Sequence, residues 1–410
     1  MEKERLQKYA SLIVRKGLNP DPGQEVMIIA ELDQPEFVRM VVGECYNCGA
    51  SRVRVEWRDM ALSKLDQLRQ SEEKLSSIDD WEIAKLKWRS ENLPAFLWLD
   101  SEDPDGMNGI DQGKRARSQA ARFPKIKPFR DAMENRFQWC IAGVPGVAWA
   151  TKVFPELPPD EAVEKLWKAI LASARANGDP IANWEEHNRA IHRRCEKLNS
   201  YRFASLEYRS ANGTDFTVGL IPDGIFAGAA ERDLSGRVFN PNIPSEEIFT
   251  SPMRGKAEGL LVATKPLSYQ GTLIENFSIR FENGKAVEVK AEKGQEALEK
   301  MVSMDEGAAY LGECALIPDN SPINNTGILF YSTLYDENAC CHVALGRGFE
   351  NCIENFGSYT LEELRAKGIN DSMIHVDFMI GTADMDITGV TADGRRVQIF
   401  SSGNWADEFC

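Results

Sequence analysis

The chain has 410 residues, 43% of them hydrophobic and 27% charged, with a formal net charge of −15. That length exceeds one ordinary core and predicts two domains in a soluble globular protein. Sixty-three acidic against 48 basic residues make a surface that repels phosphate backbones and anionic lipid, so nucleic acid and membrane are not expected as partners.

No apolar run approaches the ~20 residues of a membrane-spanning helix. The opening "MEKERLQKYASLIVRKGLNPDPGQ" reads as an amphipathic charged helix. It lacks the apolar centre and cleavage site of a signal peptide, and a cytoplasmic location is expected. The nine scattered cysteines should then be reduced. Cys45 and Cys48 have redox-motif spacing, yet they end an apolar helical run with no second Cys pair or nearby His. They read as core or helix-end residues. Cys340 and Cys341 are adjacent, so their side chains diverge, and they read as filler beside His342.

In chain order, "EVMIIAEL" predicts a strand and "QPEFVRMVVGECYNCGA" a helix. "SRVRVEWRD" alternates Val53, Val55 and Trp57, which predicts a second strand. Helical patterns fill 59–92, "AFLWLDS" is a third strand, a Lys/Arg-bearing helix spans about 107–122, and "WCIAGVPGVAWA" is a fourth strand. Two helices follow from Asp160 to about Asn199. The alternation implies a mainly parallel α/β sheet. No GxGxxG or GxxxxGK[ST] follows these strands, so a phosphate-binding loop is unsupported.

From about residue 201 the pattern changes. "SLEYRSANGTDFTVGL", "FSIRFENGKAVEVKAEKG" and "GVTADGRRVQIFSSGNW" each place Asn-Gly or Asp-Gly between alternating runs, at Asn212-Gly213, Asn283-Gly284 and Asp393-Gly394. Each is a type I′ hairpin signal. "GQEALEKMVSM" predicts a helix, and another starts at Thr360, where Thr360 and Glu363 form a capping box. The expected architecture is an N-terminal mainly parallel α/β domain over 1–200 and a largely antiparallel α+β domain over 201–410.

There are four histidines. His187 and His192 lie on a charged helix among solvated groups, while His342 and His375 lie in apolar segments near acids. "LGECALIPDNSPI" sets Glu313 in an apolar run; "FYSTLYDENACCHVALG" groups Asp336, Glu337 and His342. In "MIHVDFM" alternation puts His375 and Asp377 on one strand face, opposite Val376 and Phe378. "NIPSEEIFTSP" adds Glu246 and Glu247. Singly, His375 reads as an imidazole bonded to Asp377, Glu313 as the partner of an arginine, and Asp336 as a turn or cap. Together, a carboxylate-rich set with one or two imidazoles and no cysteine at ligand spacing suits a pair of divalent ions. The closed Cys/His spacing of a structural zinc is missing. Two ions need a bridging carboxylate and can share an activated water.

"EEIFTSP", "GECALIPDNSPI", "FYSTLYDENACCHVALG" and "IHVDFMIG" closely resemble the thermophilic-type metalloaminopeptidases, the aminopeptidase T and aminopeptidase S family. "LQKYASLIVRKGLNPDPGQEVMI", "CGASRVRVEW" and "LNSYRFASLEYRSANGTDFTVGL" extend the resemblance nearly end to end. It implies release of the N-terminal residue from peptides by two divalent ions (zinc, cobalt, magnesium or manganese), a C-terminal catalytic dimetal domain and a homodimer. Carried over by motif, the ligands are Glu247, Glu313, Glu337, His342, His375 and Asp377. Glu313, the most apolar-flanked acid, is the choice for bridging and catalytic carboxylate, with Glu246 a candidate proton acceptor. One departure stands out: the family places a tyrosine, thought to help hold the substrate carbonyl, where this chain has Phe349. That predicts a weakened peptidase, another substrate, or a hydroxyl from Tyr331, Tyr335 or Tyr359. The rival expectations are a peptide- or metal-binding protein without catalysis and a dimetal hydrolase of another amide or ester.

Overall fold

The computed structural model describes residues 2–270 and 272–410. The chain divides into two compact units. One runs to Glu186 and takes back Ala230–Ser245; the other holds His187–Ala229 and Glu246–Cys410. A single linear boundary, such as the one read near residue 200, does not capture the return of 230–245.

In the first unit, the four expected strands are Glu25–Glu31, Arg52–Arg58, Ala95–Asp100 and Trp139–Gly143. They pair in parallel, and Asn242–Ile243 adds a fifth strand beside Trp139–Gly143. Glu25–Glu31 is an interior strand between Ala95–Asp100 and Arg52–Arg58, and Val26 to Ala30 are all buried, the burial of a parallel strand covered on both faces. Arg52–Arg58 is the edge and stays largely exposed.

Two expectations change here. The run "WCIAGVPGVAWA" is not all strand: Pro145-Gly146 breaks it, and Val147–Val153 is a helix. The basic helix is Gln112–Met133, running on through Pro124 and Pro128. Arg122 tethers it by an ion pair to Glu82 (2.6 Å) and a hydrogen bond to the Ser77 carbonyl. Tertiary packing thus overrides the local tendency of proline to end a helix.

The second unit is antiparallel. Its larger sheet has nine strands, and its smaller sheet has the order His375–Met379, His342–Gly346, Leu311–Leu316, Ile248–Thr250, Ala227–Gly228 among the described residues. All three expected hairpins form. Only Asn283-Gly284 has the two positive φ angles (51° and 81°) of a type I′ turn. At the other two sites glycine alone is positive, at Gly213 and Gly394, so the loops are longer and differently bent. Thr360 and Glu363 do form the capping box of Leu361–Lys367.

The smaller sheet has two unlike faces. Ile248, Cys314, Leu316, Val343, Leu345 and Phe378 join one buried cluster with Phe216, Phe277 and Phe281 of the larger sheet. Period two turns the alternate residues to the other face. That face carries Phe249, Glu313, Ala315, His342, Ala344, His375 and Asp377.

Candidate metal centre

Leu311 and Glu313 are two positions apart and should share a face, yet Leu311 is in the core cluster. The ladder gives the reason. Leu311 faces Leu345 but Glu313 faces Ala344, so Gly312 is an extra residue, a bulge. A bulge re-aims the side chain that follows it. A Cβ at Gly312 would collide with the Arg347 carbonyl, so glycine is required where that loop crosses the strand.

The same carbonyl holds an imidazole. His375 Nδ1 lies 2.7 Å from the Arg347 oxygen and donates to it. His342 Nδ1 donates in the same way to the Glu337 carbonyl at 2.9 Å. Both Nε2 lone pairs are thereby turned inward, the tautomer a metal-binding histidine needs. His375 Nε2 is 3.1 Å from Glu313 Oε2 and 3.3 Å from Asp377 Oδ1. His342 Nε2 is 3.6 Å from Glu247 Oε2 and 3.9 Å from Asp377 Oδ1.

Two overlapping groups result. Glu247, Glu313 and His342 offer ligand atoms within 4.8 Å of one another, and so do Glu313, His375 and Asp377. Glu313, 4% exposed, belongs to both. Glu337 completes the cluster electrostatically: burial, then Asp377, Glu247 and Glu313, push its carboxyl well above the usual range. Burial works against the charged His375, but Asp377 and Glu313 outweigh it and hold the imidazole well above 6.5. Burial likewise opposes ionised Asp377, and His375 overcomes it and lowers that carboxyl.

The donor set fits divalent ions. Asp377 Oδ1 is buried with no hydrogen-bond donor directed at it. Among the described residues, no lysine or arginine forms an ion pair with Glu313, Glu337 or Asp377, although Glu313 and Asp377 are buried. With the imidazoles neutral and the carboxyls ionised, as ligands must be, the set carries negative charge that divalent cations would cancel, and a buried anion without such a partner is costly.

Other expected residues fall elsewhere. Glu246 is buried beside Glu247 but belongs to neither group; Arg194 feels its charge. Phe349 lies at the centre, its ring 4.8 Å from the His375 ring and 5.4 Å from Phe249. Tyr335 is fully buried against Phe330, and Tyr359 lies under Lys367, 4.3 Å from its Nζ. Tyr331 has a φ of 55°, in the left-handed region. Asp336 acts as a turn residue, accepting from the Phe330 and Ser332 amides, with burial pushing its carboxyl up to about 6. His187, expected to be solvated, is buried; His192 is exposed. Burial pushes the Cys45 thiol up to about 12 and also raises Cys48, as core thiols behave.

Sequence reasoning missed Asn338. Fully buried, it accepts from the Glu246 amide (2.8 Å) and donates to Glu337 Oε1 (3.3 Å), joining the segments that carry Glu247 and Glu337. Its place inside "DENA" was the only available signal.

Residues 2–405 match the family model described as thermophilic metalloprotease (M29). Aminopeptidase AmpS of Bacillus subtilis (strain 168) is 41% identical, with 98% of each chain covered. Aminopeptidase 2 of Geobacillus stearothermophilus is 42% identical over 99% of this chain and 98% of its own. Among solved structures, wild-type AmpT from Thermus thermophilus superposes with a TM-score of 0.89 at 39% identity, covering 98% of this chain and 99% of that one.

Proposed function

The chain belongs to the thermophilic metalloprotease (M29) family and is a metalloaminopeptidase, and from that premise we propose that two divalent ions are held by Glu247, Glu313, Glu337, His342, His375 and Asp377. The observation that carries this reading is Glu313, one carboxylate shared by two ligand groups. Carboxylate and imidazole donors suit zinc, cobalt, magnesium and manganese alike.

Bound ions would supply a Lewis acid for the scissile carbonyl and a water whose pKa falls towards ~7. The protein's own part is positional. The Arg347 and Glu337 carbonyls lock the imidazole tautomers, and Asn338 fixes the lead-in to Glu247 relative to Glu337. An unligated carboxylate would accept the proton of the attacking water and return it to the leaving amine, and Glu246, buried outside both ligand groups, is the candidate.

Phe349 supports a second reading, a catalytically weakened or inactive member that binds peptides or metal. Its ring rests on His375 and offers no hydroxyl where the family resemblance implies a phenol. Peptides are the substrates in either case. A homodimer fits the exposed Leu62, Leu65 and Leu68 of the helix Met60–Arg69, which buries none of its residues. A cytoplasmic location fits nine free cysteines.

A panel of aminoacyl-nitroanilides, dipeptides, blocked peptides and phosphoesters, each run with zinc, cobalt or manganese, separates the readings. The expected result is release from free N-termini only. Release only from blocked peptides, or turnover of phosphoesters alone, would overturn it. Two bound ions without any turnover would favour the inactive reading.

A further inference from the structure

In the ladder, Ala344 stands directly opposite Glu313 on one side and Asp377 on the other. Cross-strand partners share a face with Cβ atoms ~4.5–5.5 Å apart. The Ala344 methyl therefore lies between the roots of two carboxylates, one of which serves both ligand groups. The residue is fully buried and sits mid-strand between Val343 and Leu345. Alanine is disfavoured in strands, where branched side chains pack better. Local preference therefore does not account for alanine here, but the space above it does: any longer side chain would enter the volume between Glu313 and Asp377.

We propose that Ala344 is the specificity-determining floor of the centre, setting how many ions fit and how large they can be. This rests on the two-ion reading above. Valine at 344 adds two methyl groups on the cluster face and excludes the ion at the Glu313, His375 and Asp377 group. Glycine removes the methyl and admits a larger ion at the same group.

The test uses the full-length protein, stripped with chelator, reloaded with zinc and dialysed, with bound metal counted by atomic emission and folding followed by circular dichroism. The wild type should hold two ions and Ala344→Val one, with the fold kept in both. Ala344→Gly, which adds no bulk and removes one methyl, should hold two ions and bind manganese better relative to zinc than the wild type does. That ratio decides the matter if the valine variant does not fold. Two ions in Ala344→Val at wild-type affinity, or an unchanged manganese-to-zinc ratio in Ala344→Gly, would overturn the proposal alone. A wild-type count below two would remove the two-ion reading and this inference together.

Discussion

The ion-paired acids of the first unit and the clustered acids of the second unit's smaller sheet are handled in opposite ways. In the first, Glu56, Glu44 and Glu82 meet the protein's own cations, although Glu31 is pushed up to about 7 by burial and by Glu102. Glu56 is 2.7 Å from both Lys85 and Arg89, Glu44 is 2.5 Å from Arg15, and Glu82 is 2.6 Å from Arg122. Burial opposes their ionisation, but Lys85 and Arg89 lower Glu56, Asn47 and then Arg15 lower Glu44, and the Asp79 amide and then Arg122 lower Glu82. In the second unit, the acids of the smaller sheet converge on imidazoles and on one another, and Glu337 is pushed up. An acid paired within the chain is finished as structure. The buried acids that converge around Glu313 form a site, because a cation from outside makes their closeness tolerable.

Several experiments break or sharpen that contrast. The largest effect is expected from Glu313→Gln, which keeps the shape but removes the shared charge. Turnover should fall by at least about 10³-fold with loss of bound metal, as expected when several kcal/mol of charge stabilisation disappear. Retained metal would show that Glu313 is not the hinge of the cluster. Phe349→Tyr should raise turnover by ~10²–10³-fold at unchanged metal content if a phenol is the missing donor. An unchanged rate would point to another donor.

Chelation should weaken the second unit only. Each ion at a hundred times its dissociation constant stabilises the folded form by ~2.7 kcal/mol. Amide exchange should therefore quicken in His342–Gly346 and His375–Met379 and not in Glu25–Glu31; quickening in both would erase the contrast.

The chelated protein should also respond to pH in a particular direction. His375 is raised in the folded state, so the stability it lends is complete below about 6.5 and is lost as pH rises through its folded value. Glu337, also raised, is penalised at high pH and relieved as pH falls. Asp377, lowered, acts oppositely, but its contribution is lost only below 3.8. Chelated protein should therefore melt at a higher temperature at pH 6 than at pH 8, and the reverse order would contradict the assigned neighbours. The smallest effect concerns Leu62→Ser with Leu65→Ser, both exposed. Stability should change by no more than about 0.5 kcal/mol per site. Sedimentation should show a smaller species if this helix joins two copies.

His375 and Asp377 were legible because the alternation of Cβ atoms along a strand depends only on position. Glu313 stood out as a carboxylate in an apolar run. The bulge at Gly312 was not legible, since a lone glycine has many uses and only the crossing Arg347 carbonyl demands one there. Two hairpin turns were mistyped because Asn-Gly and Asp-Gly signal a reversal without setting its length. The Glu246–Glu247 pair was ambiguous for a related reason: adjacent residues must diverge, but which one faces inward depends on the sheet beneath.

Sequence alone determined the period of each strand, the parallel and antiparallel halves, and the residue types whose motifs match the M29 family. Those are short-range properties, carried by neighbours in the chain. Tertiary structure decided which acid is shared, which imidazole nitrogen faces inward, and that Ala344 lies between two carboxylates. Such facts arise only when strands distant in sequence are placed side by side, because charge and excluded volume act through space.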